Sequence, residues 1–185
     1  DGLYIFLWGL FLKSVVADNL APVVNTYFDS PRVISPFSFL AIAYSCVLQV
    51  YGDFAGYSYM AVGIALTLGI KLRLNFVHPF FSKTPQEFFS RWHITLVDWF
   101  KSYVYFPLIR TLSKRFPRRF AMNLGESVVL MLFALWHGLN INLFLWGIEL
   151  IFIFKFYRIL RKYFSSMKYE IPRALQAFVF FNVLT

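Results

Sequence analysis

The sequence predicts an all-α protein that crosses a membrane several times, and three observations support this fold class. Hydrophobic residues make up 59% of the 185 positions and charged residues only 15%, whereas soluble domains have about 45–50% apolar and about 25% charged residues. Aromatic residues make up 22%, including 24 Phe, which suits a lipid-facing surface with interfacial belts. The charges also fall in short clusters between long apolar stretches. Together these features argue against a soluble globular domain.

The net charge of +9 does not indicate a nucleic-acid-binding protein. Such proteins carry their basic residues on a polar surface, whereas here the basic clusters flank apolar stretches, so we expect the lipid bilayer, and no nucleic acid, as a partner. The single cysteine, Cys46, forms no intrachain disulfide, and no Cys/His cluster has metal-ligand spacing, so no metal site is expected. Because the chain starts at Asp1 without a signal peptide and ends inside an apolar run, 174–185, we interpret residues 1–185 as one membrane-embedded domain fragment, truncated at both ends.

The first half contains two apolar stretches separated by a polar connector. Residues 2–17 carry only Lys13 as a charge and are slightly short of the about 20 residues of a spanning helix. Residues 18–35 form a turn-rich connector. Residues 36–70 carry only Asp53, and as one straight helix they would extend about 50 Å, beyond a hydrocarbon core of about 30 Å. We expect this stretch to break, tilt or extend past the bilayer, with Gly52 and Gly56 as weak points.

A second connector, 71–85, ends in the start of a helix. Thr84 is the predicted N-cap, Pro85 the first helical residue, and Glu87 completes a capping box. The following helix, to about Val104, is predicted to be amphipathic and to lie at the interface or line a polar cavity. Its polar stripe consists of Arg91, Thr95, Asp98 and Ser102, and its apolar stripe of Phe88, Trp92, Leu96, Trp99 and Tyr103.

Two basic segments, 110–119 and 155–173, flank an apolar block at 120–154 whose only charges are Glu126 and Glu149. If both segments are cytoplasmic, the block is a hairpin that bends near Gly138. If the block crosses once, the positive-inside rule is violated on one side. The sequence leaves both topologies open.

Three ionisable residues in apolar surroundings are the main candidate site residues, because charge at membrane depth is costly and commonly marks a site. The imidazole of His137 suits removal of a proton from a hydroxyl near neutral pH, and burial would keep it neutral and competent as a base. His93 shares an apolar stripe of the amphipathic helix and would serve as a proton relay, acid partner or donor-binding group. For both histidines the alternative is a packing or interfacial histidine hydrogen-bonded locally.

The third residue, Asp53, is expected to hold the site in place rather than to react. A buried carboxylate needs a cationic partner, and the candidates are Arg91, Lys101 or a histidine of the amphipathic helix. If the helix continues past His137, Asn140 lies on nearly the same face one turn later and would orient the imidazole or the substrate.

Short motifs follow one another along most of the chain in a specific order. They are LWGLFLK (7–13), ADNLA (17–21), GDFAGYS (52–58), MAVG (60–63), FFSRWHITL (88–96), YVYFPL (103–108), LWHG (135–138) and WG (146–147). This order and spacing resemble the membrane-bound O-acyltransferase (MBOAT) superfamily, in its bacterial branch of alginate O-acetyltransferase-like and D-alanyl-transfer proteins. The chain departs from that pattern at Tyr59, at Lys101-Ser102 and at Ile109-Arg110.

The resemblance implies that His137 is the central catalytic histidine and His93 the second essential one. It implies an enzyme of the cell (inner) membrane, multi-pass, that moves an acyl group, expected to be acetyl, from a thioester donor to hydroxyls of an extracytoplasmic polysaccharide or wall polymer. The donor, acetyl-CoA or a carrier-protein thioester, would be a co-substrate rather than a bound cofactor, and a periplasmic acyltransferase is an implied partner protein. Acetyl or D-alanyl transfer remains open.

The chemistry of the residues agrees with such a reaction. A neutral histidine that deprotonates the acceptor hydroxyl permits direct attack on the acyl carbonyl, so no Ser or Cys nucleophile is required. Asn140 or Trp136 would supply donors to the oxyanion. The alternative class is a non-catalytic transporter or export subunit in which Asp53, His93 and His137 relay protons.

Overall fold

The computed structural model describes residues 1–29 and 35–166, and every regular element in these ranges is a helix. The all-α prediction is therefore confirmed for them. The chain divides into two compact units, Asp1–Val77 and a second that begins at His78. Three helices of the described ranges are long and apolar enough to cross a membrane, namely Gly2–Asp29, Pro36–Thr67 and Arg118–Trp136. Residues 30–34 of the predicted connector, the end of the second basic segment and the apolar stretch 174–185 lie outside the described residues.

The first unit begins with one long helical segment. Helix α1 (Gly2–Phe11) continues through a π-helical stretch (Leu12–Ala17) into α2 (Asp18–Asp29). The predicted connector is thus wrong for residues 18–29. Pro22 lies inside α2 and removes one backbone donor, but a proline is tolerated where neighbouring helices hold the segment, and α2 packs along the next helix.

Helix α3 spans Pro36–Thr67 without interruption. Ser35 caps its start, because the Ser35 hydroxyl accepts a hydrogen bond from the Ser38 backbone N–H at 3.1 Å. The 32 residues extend about 48 Å, so of the three possibilities for this stretch, a break is wrong. Gly52 and Gly56 are not weak points but buried contact points: a Cβ on Gly56 would lie 2.7 Å from the carbonyl oxygen of Gly9.

The second unit opens with a short 3₁₀ turn (Pro79–Phe81) and α4 (Pro85–Phe89). The predicted N-cap is confirmed, since the Thr84 hydroxyl accepts from the Glu87 backbone N–H at 2.9 Å. The single amphipathic helix to residue 104 is wrong. The chain leaves α4 at Phe89 and turns through His93, which has a left-handed φ of 47°.

After this turn the chain becomes helical again as α5 (Ile94–Phe100), a π-helical stretch (Lys101–Tyr105) and α6 (Phe106–Leu112). The indole of Trp92 stacks on the ring of Phe88 with centroids 5.4 Å apart, so the turn is packed against α4. Apolar periodicity reports which side chains face inward, and it does not report such a change of direction.

Helices α7 (Arg118–Trp136) and α8 (Ile141–Ser166) form a hairpin. The bend lies at Gly138, whose φ is +151°, as predicted for a hairpin of residues 120–154. The number of membrane crossings of this block stays a prediction. Arg158 of α8 donates to the carboxylate of Glu126 in α7 at 2.8 Å, which brings the two basic segments to the same end of the hairpin. The core of this unit consists of Val97, Phe100, Leu130, Phe133, Leu150 and Phe154.

Candidate active site

His137 caps the C-terminus of α7, and its side chain is tied back onto that helix. Its Nδ1 lies 2.9 Å from the carbonyl oxygen of Phe133, one turn earlier. The helix ends here because Gly138 adopts a φ that residues with a side chain rarely reach. In the last turn, the backbone N–H groups of His137 and Gly138 donate to the carbonyl oxygens of Ala134 and Leu135, at 3.2 and 3.1 Å respectively. The orientation of the His137 imidazole is therefore fixed by a hydrogen bond to a backbone carbonyl group of its own helix.

This tether assigns the tautomer of the ring. A carbonyl oxygen only accepts hydrogen bonds, so Nδ1 of His137 carries the hydrogen and donates it to Phe133. In neutral imidazole the other nitrogen, Nε2, then holds the lone pair. An oriented Nε2 acceptor is what a general base requires.

His93 lies at the N-terminus of α5, in the turn after α4. The ring of Trp136 contacts both histidines edge to face, with centroids 6.0 Å from His93 and 5.0 Å from His137. Two histidines that are far apart in sequence thus flank one indole. The roles that the resemblance implies for His137 and His93 stay predictions.

The environment of His93 favours its neutral form. Burial lowers the pKa of His93 below its ordinary value, the nearby His137 lowers it further, and a backbone hydrogen bond opposes the change. Because the two rings interact, charging one of them disfavours charging the other. A proton taken up at His137 therefore finds a neutral neighbour near pH 7.

Three aromatic rings contact the His137 imidazole, but the residue is exposed, so the predicted burial of this histidine is wrong. Phe133 and Trp146 lie at centroid distances of 5.4 and 5.3 Å, in addition to Trp136. Trp146 belongs to the WG motif, but the sequence assigned no site role to it or to Phe133. The signal for Phe133 was present, because a polar side chain near a helix end can reach the carbonyl four residues earlier.

The two predicted charged supports have other partners. Arg91 donates to the carboxylate of Glu87 at 2.7 Å, and Asp53 pairs with Lys13 at 2.7 Å. Asp53 thus pairs with Lys13 rather than with a residue of the amphipathic helix, and because its side chain is 56% exposed, the prediction of a buried carboxylate is wrong. The close contacts of Gly9 and Gly56 bring α1 against α3 and place Lys13 beside Asp53, so an ion pair forms within the first unit.

Asn140 is a helix cap. Because α7 ends at Trp136, the expected continuous helix does not exist, and the Asn140 side-chain oxygen accepts from the Leu143 backbone N–H at 2.9 Å to begin α8. Its amide nitrogen would lie 4.0 Å from a Cβ on Gly138, next to His137. The roles of Asn140 and Trp136 toward an oxyanion stay predictions.

A cavity of about 240 Å³ is lined by Phe133 but not by His137. Its walls are largely apolar, and its polar residues are Gln86, Lys101, Tyr105 and Glu126. Burial raises the pKa of Tyr105, and the nearby Glu126 carboxylate adds to this rise. Within residues 1–29 and 35–166, no three His, Cys, Asp or Glu side chains are grouped as metal ligands would be.

These features define a class of protein: a helical protein with three candidate membrane spans in its described residues, in which an oriented histidine ring lies near a second histidine. Comparison of the sequence with protein families is consistent with this class. Residues 2–184 match the model of MBOAT, the membrane-bound O-acyltransferase family. The chain belongs to this family and is a membrane protein.

Individual relatives are named as acyltransferases of polysaccharides or cell-wall polymers. The chain is 37% identical over 147 residues to a peptidoglycan O-acetyltransferase of Helicobacter pylori. It is 34% identical over 148 residues to a "probable alginate O-acetylase AlgI" of Pseudomonas aeruginosa, and 32% identical over 155 residues to a teichoic acid D-alanyltransferase of Bacillus subtilis. Each match covers 80% of this chain, but only 27%, 27% and 39% of the respective relative. The chain thus spans about a quarter to two fifths of the length of these proteins.

Proposed function

We propose that the protein containing this chain is an O-acyltransferase of the cell (inner) membrane, with several membrane crossings, that transfers an acetyl group from a thioester to hydroxyls of an extracytoplasmic polysaccharide or cell-wall polymer. The observation that carries the proposal is the hydrogen bond from His137 Nδ1 to the Phe133 carbonyl, because it leaves Nε2 as an oriented base. The names of the three relatives support the choice of reaction and of acceptor class.

In this mechanism Nε2 of His137 takes the proton of the acceptor hydroxyl as its oxygen attacks the thioester carbonyl. The new C–O bond forms, the tetrahedral oxyanion collapses, the C–S bond breaks, and the proton passes from His137 to the departing thiolate. No covalent acyl-enzyme is needed. The lowered pKa of His93 supports this scheme, since a neutral His93 does not repel the imidazolium that forms transiently at His137.

The decisive experiment replaces each histidine by alanine in the full-length protein and measures acyl transfer to polysaccharide. We expect His137→Ala to lower the rate about 10²- to 10⁴-fold, the usual contribution of a general base, and His93→Ala to lower it as well. His78→Ala is a matched control for His93→Ala, because both residues have a left-handed φ of 47° but His78 lies in the loop before α4.

The outcomes separate the classes of function. Acyl transfer that survives both site substitutions in normally inserted protein would show that the protein is not a histidine-dependent acyltransferase. Loss of activity in proportion to loss of membrane yield would indicate a structural role. A transporter that relays protons through Asp53 and the histidines would instead lose proton-coupled flux, while showing no acyl transfer in the parent protein.

The donor and acceptor are tested separately. Purified full-length protein is assayed with acetyl-CoA and with a D-alanyl carrier-protein thioester, and only the true donor gives turnover that His137→Ala abolishes. The neighbouring reading frames give an independent indication. A periplasmic acetylesterase-like protein would favour polysaccharide acetylation with a periplasmic partner, whereas a carrier protein with its ligase would favour D-alanylation.

A further inference from the structure

The segment 110–119, which runs from the end of α6 through the turn into the start of α7, carries a concentrated positive charge that the proposed reaction does not use. It holds five basic residues and no acidic residue, and all five are exposed: Arg110, Lys114, Arg115, Arg118 and Arg119. We call these five residues the basic surface. The last two begin α7, which is one of the candidate membrane spans, so the basic surface lies where an apolar helix would leave the hydrocarbon.

The tertiary structure adds positive charge to this end of the hairpin. Lys155 of α8 donates to the Asn123 carbonyl oxygen at 3.2 Å, and Arg158 donates to both carboxylate oxygens of Glu126, at 2.8 and 2.5 Å. From residue 101 to 166 the sequence has only one other acid, Glu149. Because Arg158 neutralises Glu126, no acidic residue of this stretch balances the basic surface.

Two phenyl rings lie among these charges. Phe116 and Phe120 contact each other with centroids 5.1 Å apart, and they are 44% and 50% exposed. Aromatic rings beside basic residues at the end of a membrane helix are stable where acyl chains meet headgroups, because the rings enter the apolar layer while the cations reach the phosphates. Water alone would provide a poor environment for this pair of rings.

We propose that the basic surface binds the phosphate headgroups of anionic phospholipids, with Phe116 and Phe120 inserted among the acyl chains. The position at the start of α7 and the charge complementarity favour a lipid over a soluble acidic ligand, since a headgroup layer is the negative surface found at this depth. Each basic residue near such a surface strengthens binding about five-fold. The site goes beyond the proposed acyl transfer and does not depend on it.

The test uses the full-length protein in vesicles that contain spin-labelled phosphatidylglycerol or spin-labelled phosphatidylcholine in a phosphatidylcholine background. Electron spin resonance then gives the association constant of each lipid relative to the background. We expect the parent protein to prefer phosphatidylglycerol, and we expect this preference to weaken with added salt. Each lost charge should lower the preference about five-fold, so Arg115→Gln/Arg119→Gln should lower it about thirty-fold at most. Phe116→Ser/Phe120→Ser should lower the fraction of motionally restricted spin label for both lipids.

A matched control removes two charges elsewhere. Lys71→Gln/Arg73→Gln changes the loop after α3 in the first unit, and it should leave the phosphatidylglycerol preference unchanged. Equal losses in both double variants would overturn the proposal, because the effect would then be one of net charge. Absence of any preference in the parent protein would overturn it too.

Two further outcomes identify other occupants. A preference that is unchanged in Arg115→Gln/Arg119→Gln, together with a raised KM for acetyl-CoA or for the carrier-protein thioester, would assign the surface to the donor and refute the lipid site. Displacement of the spin-labelled lipid by inorganic phosphate, beyond the effect of sodium chloride at the same ionic strength, would show a simple anion site and would refute insertion of the lipid.

Discussion

Gly138 links the hairpin bend to the orientation of the candidate base, so Gly138→Ala tests both. The residue follows His137 directly and has a φ of +151°. A Cβ at this position would meet the Leu143 Cδ1 atom at 3.2 Å. That atom is the end of a flexible side chain and needs to move only a few tenths of an ångström, so steric overlap contributes little. The backbone conformation is the larger obstacle.

The expected magnitude follows from that conformation. Holding a non-glycine residue in such a region costs about 1–3 kcal/mol, whereas replacing Gly by Ala restricts the unfolded chain and returns only about 0.4–1 kcal/mol. The cost of backbone strain in the folded protein therefore exceeds the stabilisation from restricting the unfolded chain. If the folded protein retains the turn, the free energy of unfolding falls by about 1–2 kcal/mol. If the turn relaxes instead, His137 moves relative to Phe133, and a displacement of about 1 Å lowers the rate about 10²-fold.

Acyl-transfer rate per folded molecule and thermal unfolding of the full-length protein distinguish these two cases. Gly69→Ala is the matched control, because Gly69 also has a positive φ, +79°, and a Cβ there would have no atom within 4 Å. We expect Gly69→Ala to lower stability but not the rate per folded molecule. Wild-type stability together with wild-type rate in Gly138→Ala would refute the reasoning, as would equal loss of rate in both variants.

Other substitutions test packing, charge and protonation. Gly56→Ala should lower the unfolding temperature by an overpacking cost of about 1–3 kcal/mol, since its Cβ would meet backbone atoms at 2.7 and 2.8 Å. Gly125→Ala should be tolerated, because its Cβ would meet only a side chain, at 3.1 Å. Lys13→Met should reduce membrane yield more than Asp53→Asn, as measured by immunoblotting, because Lys13 pairs with two carboxylates at 2.7 Å on exposed faces of candidate membrane spans, where unpaired charges are costly. The lowered pKa of His93 predicts that stability falls as pH drops below about 6.5, where the unfolded chain takes up the proton more readily. Thermal unfolding of His93→Gln across that range should show a smaller fall, and an identical fall would contradict the prediction.

The accuracy of the sequence predictions depended on the range of the interactions involved. The cap at Thr84 was correct because it needs only residues three positions apart. The connector at 18–29 was wrong because Pro22 is tolerated in a helix that packs along α3, and such packing is not visible locally. The same limit explains Asp53, whose partner Lys13 is brought near by helix packing against Gly9 and Gly56.

In the second unit as well, the sequence predicted features that depend on nearby residues but not contacts between distant segments. Composition and apolar periodicity were sufficient for the all-α class and the membrane environment, because these depend on residue type and on spacing within a helical turn. The catalytic roles of the two histidines stay predictions. The backbone tether of His137, its approach to His93 around Trp136 and the clustering of both basic segments at one end of the hairpin depended on packing between distant segments. These contacts depend on how all the helices of the second unit pack together, and no local sequence pattern determines that packing.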